Sequence, residues 1–208
     1  DEFVTELAIR LQVNMSLEEA WCPLCDCILD CKGRHAGLCG AGGDRTRRHH
    51  GVRNLIGQFA CAGGKSPELE KPDLLQPSPD HPEAGARRPA DVYLPSWTAG
   101  CPAALDIAVS SPHRQDIVLE ASASGGAAAE AYENFKRSYK DTAATCLAQG
   151  ISFIPMVAEP SGGWGPSGLC TLKALARAEA LASGRDHGIV LAGYLQRLCT
   201  AIRKANAR

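Results

Sequence analysis

The sequence predicts an α/β fold, a mixed sheet flanked by helices, preceded by a small N-terminal helix and a metal-stapled segment. Three observations lead there. Residues 90–95 and 104–110 each alternate apolar with polar or small side chains, the period of two expected of half-buried strands. Residues 151–158, Ile-Ser-Phe-Ile-Pro-Met-Val-Ala, are an apolar run of strand length that follows a helical stretch over 127–149, the pattern of a βαβ crossover. Five of the ten cysteines, Cys22, Cys25, Cys27, Cys31 and Cys39, crowd into one segment, whereas the other five are scattered singly. Clustering of that kind points to metal ligands plus ordinary buried thiols in a reducing compartment, not to a secreted disulfide scaffold.

At 208 residues the chain fits one domain with a small appendage. We divide it at residues 1–46, a helix plus metal knuckle, and 47–208, the α/β domain. A hydrophobic content of 45% excludes wholesale disorder. No run approaches the roughly 18 apolar residues of a membrane span, so a soluble intracellular protein with no membrane partner is expected. The first residue is Asp and not Met, which suggests a piece of a longer protein.

In chain order, Phe3, Leu7 and Leu11 recur every four residues and predict a helix over 2–12. The stretch 21–43 is too rich in Cys and Gly for regular structure. A helix follows over 47–62, with Val52, Leu55, Ile56 and Phe59 as its buried stripe. The proline-rich segment 65–88 reads as loop. In the first strand Val92 and Leu94 oppose Asp91 and Tyr93; in the second, Leu105, Ile107 and Val109 oppose Asp106 and Ala108. The helix over 127–149 would bury Ala128, Tyr132, Phe135, Tyr139 and Cys146, with Lys136 bordering that stripe and leaning over the sheet. Pro155 argues that the strand at 151–158 is an edge or is bulged. Helices over 167–183 and 189–207 complete the chain, after a Gly162-Gly163-Trp164-Gly165 break.

Two acids at the start and in the middle of consecutive strands are the chemically suggestive pair. An Asp inside an apolar strand is costly unless a partner or a metal satisfies it. Carboxylates so placed can share Mg²⁺ or Mn²⁺, which supplies a nucleophilic water and counter-charge for phosphodiester hydrolysis. Asp91 and Asp106 are the candidate ligands, with Glu70 a third or merely a solvated loop acid. Lys136, or Lys140 one turn later, is the candidate lysine that positions the water or neutralises the phosphate.

Cys22 and Cys25, with His35 and Cys39 about ten residues on, can close a tetrahedron around Zn²⁺ and give a coreless segment its fold. Cys27 and Cys31 are rivals for the thiolate positions. Four protein ligands would make the site structural, since none is left for water.

The net charge of −1 does not advertise a nucleic-acid binder, but the distribution is uneven. One cluster holds Arg45, Arg47, Arg48, His49, His50 and Arg53, a second Lys136, Arg137 and Lys140, and a third Arg197, Arg203, Lys204 and Arg208. Arg47, Arg48 and His49 sit at a predicted helix start, where free N–H groups join side-chain charge toward a phosphate, and Arg53 belongs to the same basic cluster. With Lys140 they are the candidate nucleic-acid contacts. Solvated faces are the commoner fate of such runs. Trp97 and Trp164 could stack on bases, although a core or lid role fits them better.

Taken together, Cys22, Cys25, His35 and Cys39, then Arg48-His49, Arg53, Glu70-Lys-Pro-Asp-Leu-Leu75, Arg88-Pro-Ala-Asp91, Pro95-Ser-Trp97, Ala104-Leu-Asp-Ile-Ala-Val-Ser110 and Lys136-Arg-Ser-Tyr139 resemble one family. So do Phe153-Ile-Pro155, Glu159, Gly162-Gly-Trp164, Gln196-Arg197 and Asn206-Ala207. The order is similar to that of the restriction-like, PD-(D/E)XK-type endonuclease domains that follow the reverse transcriptase of some non-LTR retrotransposons and related eukaryotic proteins. In the superfamily a lysine usually stands two residues after the second acid; Ala108 stands there here, and in the resembled domains the basic residue lies on the following helix. The resemblance implies a restriction-endonuclease-like fold and a nuclear enzyme that nicks target DNA to prime reverse transcription. It also implies a reverse transcriptase in the same polyprotein, and DNA or RNA as partner. A nucleic-acid-binding or protein-interaction module that keeps the fold without cleavage is the alternative. A cytosolic zinc-dependent structural domain is a third reading.

Overall fold

The computed structural model describes residues 1–35, 39–41, 43–77, 82 and 87–206. Helix α1 (Glu2–Leu11) leads into a two-stranded antiparallel hairpin, β1 (Ala20–Trp21) and β2 (Ile28–Leu29). Helix α2 (Asp44–Ala62) and a short strand β3 (Glu68–Leu69) precede the long hairpin β4 (Val92–Thr98) and β5 (Cys101–Val109). Then come α3 (Val118–Ala123), α4 (Ala127–Ser138), α5 (Thr142–Ala148), β6 (Ser152–Ala158), α6 (Pro166–Ser183) and α7 (His187–Asn206).

The main sheet runs β3-β4-β5-β6 and is mixed. Strands β3, β4 and β5 are antiparallel neighbours, and β6 returns parallel to β5 with Asp106 opposite Pro155. The crossover read from the sequence is therefore present. Pro155 sits on an edge strand, where a missing N–H breaks the fewest ladder bonds. The β4–β5 turn is two residues, Ala99 and Gly100, both at positive φ, 51° and 80°. That handedness matches the twist of the strands it joins.

Alternation decides the layers. Val92, Leu94, Leu105, Ile107 and Met156 bury one face of the sheet against α2, α6 and α7, through Ile56, Phe59, Leu172, Leu175 and Leu198 among others. The opposite face carries Ala104 with Ala90, Leu75, Cys146 and Ile151, covered by α4 and α5. Asp106 alternates with Leu105 and Ile107 and lies on this thinner side, as expected, where Lys136 of α4 meets it. Asp91 stands just before β4 and reaches His49 of α2.

Several expectations are corrected. The helix over 127–149 is broken after Ser138 by a single 3₁₀ turn, with Lys140 and Asp141 at left-handed φ of 50° and 49°. Its inward face is Ala128, Ala129 and Glu133, whereas Phe135 and Tyr139 are half exposed. The small residues let α4 approach the sheet closely, and the aromatics are turned aside. Helix α1 exists but buries nothing: Phe3, Leu7 and Leu11 are exposed, and Glu6 ties it to Arg203 of α7 at 2.8 Å. Helix α2 begins at Asp44, earlier than expected, so Arg47, Arg48 and His49 do not open it, and the acidic first-turn residue already complements its dipole. Ala207 and Arg208, assigned to the last helix and to the C-terminal basic cluster, lie outside the described residues. Among the described residues no helix is long and apolar enough to cross a membrane.

Candidate active site and metal centre

The β1–β2 hairpin brings Cys22 and Cys25 to its turn, with Cys22 N–H bonded to Cys27 O at 2.9 Å. Asp30 then folds the next loop, accepting the backbone N–H groups of Lys32 at 3.1 Å and His35 at 2.8 Å. Cys39 follows one turn later, its N–H on His35 O at 2.7 Å. The four ligand atoms lie within 4.8 Å of one another. Sulfur atoms stand 4.0 Å apart for Cys22 and Cys39 and 3.8 Å apart for Cys25 and Cys39, and Cys25 Sγ is 3.3 Å from His35 Nε2. A tetrahedron with zinc bonds of about 2.3 Å to sulfur and about 2.0 Å to nitrogen has S···S edges of about 3.8 Å and S···N edges of about 3.5 Å. The donor set thus fits zinc. The Leu24 amide, chiefly, lowers the Cys22 thiol to about 6, toward the thiolate a metal requires. Cys27 and Cys31 are not among the four side chains of this group.

The acids form a second constellation. Backbone bonds join Glu70 N–H to Asp91 O at 3.0 Å and Asp91 N–H to Leu105 O at 2.9 Å, so β3, β4 and β5 deliver three segments to one place. Both oxygens of Asp91 are held, one by His49 Nε2 at 3.0 Å and the other by the Ile107 N–H at 2.6 Å. Asp106 Oδ1 accepts from Lys136 Nζ at 2.7 Å, which reaches down from α4. Burial pushes the Asp106 carboxyl up to about 6 against the pull of Lys136, and the negative charge of Asp91 adds to the rise. Glu70 is ion-paired with Arg53 and lies 3.6 Å from His50. Each of the three carboxylates is closed on a cationic or imidazole group of α2 or α4. Among the described residues, the cysteine–histidine cluster is the one group of metal-ligating side chains drawn this close.

Asp91, Asp106 and Lys136 are therefore brought together, with Glu70 attached through the backbone. Lys140 lines the recess beside Asp106 but makes its own ring contact with Tyr139, so Lys136 is the lysine on the acid. Half of the basic cluster of α2, Arg48, His49 and Arg53, is drawn inward, and Arg45, Arg47 and His50 are exposed. Arg48 is buried and donates to Asn206 Oδ1 at 2.6 Å, Arg53 holds Glu70, His49 holds Asp91, and Arg47 pairs with Asp44 at 2.8 Å on the surface. Trp97 and Trp164 pack against the core.

The sequence reading passed over Glu133. Its side chain is 1% exposed and accepts the N–H groups of Ser167 at 3.0 Å and Gly168 at 2.9 Å, capping α6 where Gly165 offers no side-chain oxygen. It thereby fixes the helix that carries Lys136. The sequence reading also passed over Arg87 and took Arg88 only as part of the family-like Arg88-Pro-Ala-Asp91 pattern, although both line the recess next to Asp106.

No protein-family model, curated protein or solved structure matches this chain.

Proposed function

We propose that this chain is a metal-dependent DNA endonuclease with a restriction-endonuclease-like core and a structural zinc knuckle, working beside a reverse transcriptase in a longer nuclear protein. The observation that carries the reading is Asp91, tied at the start of β4 to Leu105 O of β5, beside Asp106 of β5, with Lys136 2.7 Å from Asp106. Asp91 and Asp106, with Glu70 beside them, would hold Mg²⁺ or Mn²⁺, which supplies Lewis acidity and an activated water. His49 and the Ile107 amide orient Asp91, and Lys136 offsets the buried charge of Asp106 while standing ready for a phosphate oxygen. Ala108 leaves the position beside Asp106 empty of charge, and Lys136 brings an ammonium to the same acid from α4.

Nicking of supercoiled plasmid tests this. Cleavage should require Mg²⁺ or Mn²⁺ and vanish in Asp91→Ala and Asp106→Ala while zinc content stays at one per chain. A second reading, a binding module without cleavage, is favoured by the closure of each carboxylate on a group of the chain itself. It predicts nucleic-acid binding that neither substitution alters and no nicking in any divalent metal.

A further inference from the structure

Four of the chain's eight Phe and Tyr residues line the recess beside Asp106, a cavity of about 490 Å³. Three of them make a ladder along α4 and its end: Tyr132 and Phe135 have ring centroids 5.5 Å apart, Phe135 and Tyr139 5.4 Å apart. Phe135 and Tyr139 are each about half exposed although the inward face of α4 is already filled by Ala128, Ala129 and Glu133. Packing does not ask for them there. Cations interleave the rings, with Arg114 5.2 Å from the Tyr132 centroid and Lys140 5.5 Å from that of Tyr139. Exposed Arg88 and Lys140 line the same recess, whose one acid among the described residues, Asp106, is already paired.

We infer that this ladder is a stacking platform for an unpaired nucleic-acid strand, which lays its bases on Tyr132, Phe135 and Tyr139 while its phosphates follow Arg88, Lys140 and Lys136 to Asp106. A duplex hides its base faces in its own stack and shows a protein phosphates and groove edges, so exposed rings gain nothing from it. An unpaired strand offers both a π face and a charge at each nucleotide, which is the combination the recess answers. Either sugar fits this chemistry. The inference rests on the proposed function only for the position of the phosphodiester at Asp106.

Fluorescence anisotropy on the zinc-loaded chain without Mg²⁺ tests it, with labelled oligothymidylate, oligouridylate and a blunt duplex of equal length as probes. The native chain should bind single strands more tightly than duplex; the two single strands show whether the sugar matters. Phe135→Ala/Tyr139→Ala touches no core residue, and should weaken single-strand binding roughly tenfold or more while leaving duplex binding unchanged. Phe135→Trp in place of alanine should restore it. Equal affinity for strand and duplex, or a double variant that binds strands like the native chain, as it would if the ladder served a partner protein, overturns the inference. Asp106→Asn separates the two claims. Strand preference with no metal-dependent cleavage leaves the platform and removes the nuclease; Asp106-dependent cleavage with a ladder variant that binds normally does the reverse.

Discussion

Replacing Glu133 by alanine should unfold the link between α4 and α6 more than any surface change. The carboxylate is 1% exposed and is the acceptor for two backbone N–H groups, at 3.0 and 2.9 Å, in the first turn of α6. Two charge-assisted bonds contribute about 1.5–3 kcal/mol each, and stranding a buried donor costs about 1–3 kcal/mol. Against that, removing the side chain relieves the desolvation of a buried charge, which returns several kcal/mol. The balance falls near 3 kcal/mol, above the range of about 0.5–2 kcal/mol for losing an ordinary N-cap and well beyond a solvated helical glutamate. With a urea slope of about 2 kcal/mol per molar, the midpoint should drop by about 1.5 M at unchanged slope. Glu133→Gln keeps one acceptor and should lose about half as much. Urea titration of the zinc-bound chain by tryptophan fluorescence measures it. A shift under about 0.3 M, within the spread of surface substitutions, would refute the capping argument.

Other outcomes follow from the same contacts. A Cβ on Gly165 would stand 2.5 Å from Glu133 Oε1, so Gly165→Ala should cost about 1–3 kcal/mol in the same titration. Elemental analysis should find one zinc per chain, lost in Cys22→Ser and Cys39→Ser and kept in Cys27→Ser and Cys31→Ser. The Asp106 carboxyl, raised to about 6 from an ordinary 3.8, holds its proton more tightly in the folded state than in the unfolded one. Its stabilising contribution is therefore complete below pH 3.8 and lost as pH rises through 6. In magnesium-free buffer Asp106→Asn should then be more stable than the native chain at pH 8, by about 3 kcal/mol, and the gain should shrink toward pH 4. A thermal-shift series across that range checks the sign.

The strands and their two acids were legible because alternation forces a small or charged residue onto the thin side of the sheet wherever Leu105 and Ile107 take the other. The candidate metal ligands were legible in spacing, but choosing among five cysteines needed the fold that draws Cys22, Cys25 and Cys39 together with His35. Arg48 could have been placed: it stands four residues before Val52 and eight before Ile56, on the buried stripe of α2, yet its charge masked that position. Phe135 and Tyr139 misled for the opposite reason, since hydrophobicity assigns aromatics to a core that Ala128 and Ala129 already fill. Nothing local marks Glu133, whose partners lie 34 and 35 residues on. The break at Lys140 and Asp141 is likewise silent, because no Gly or Pro announces the left-handed turn. The stripe of α1 is sound as a helix signal, but no described element covers it.

The most direct test of the account is single-turnover cleavage of an end-labelled oligonucleotide, titrated with Mn²⁺, by the native chain, Asp91→Asn, Asp106→Asn and Lys136→Met. The account predicts metal-dependent cleavage by the native chain, a loss of about a thousandfold or more in either Asp variant, and a smaller loss in Lys136→Met, with zinc content intact throughout. Cleavage that survives Asp106→Asn, or a native chain that binds the strand and leaves it uncut at every Mn²⁺ concentration, contradicts it.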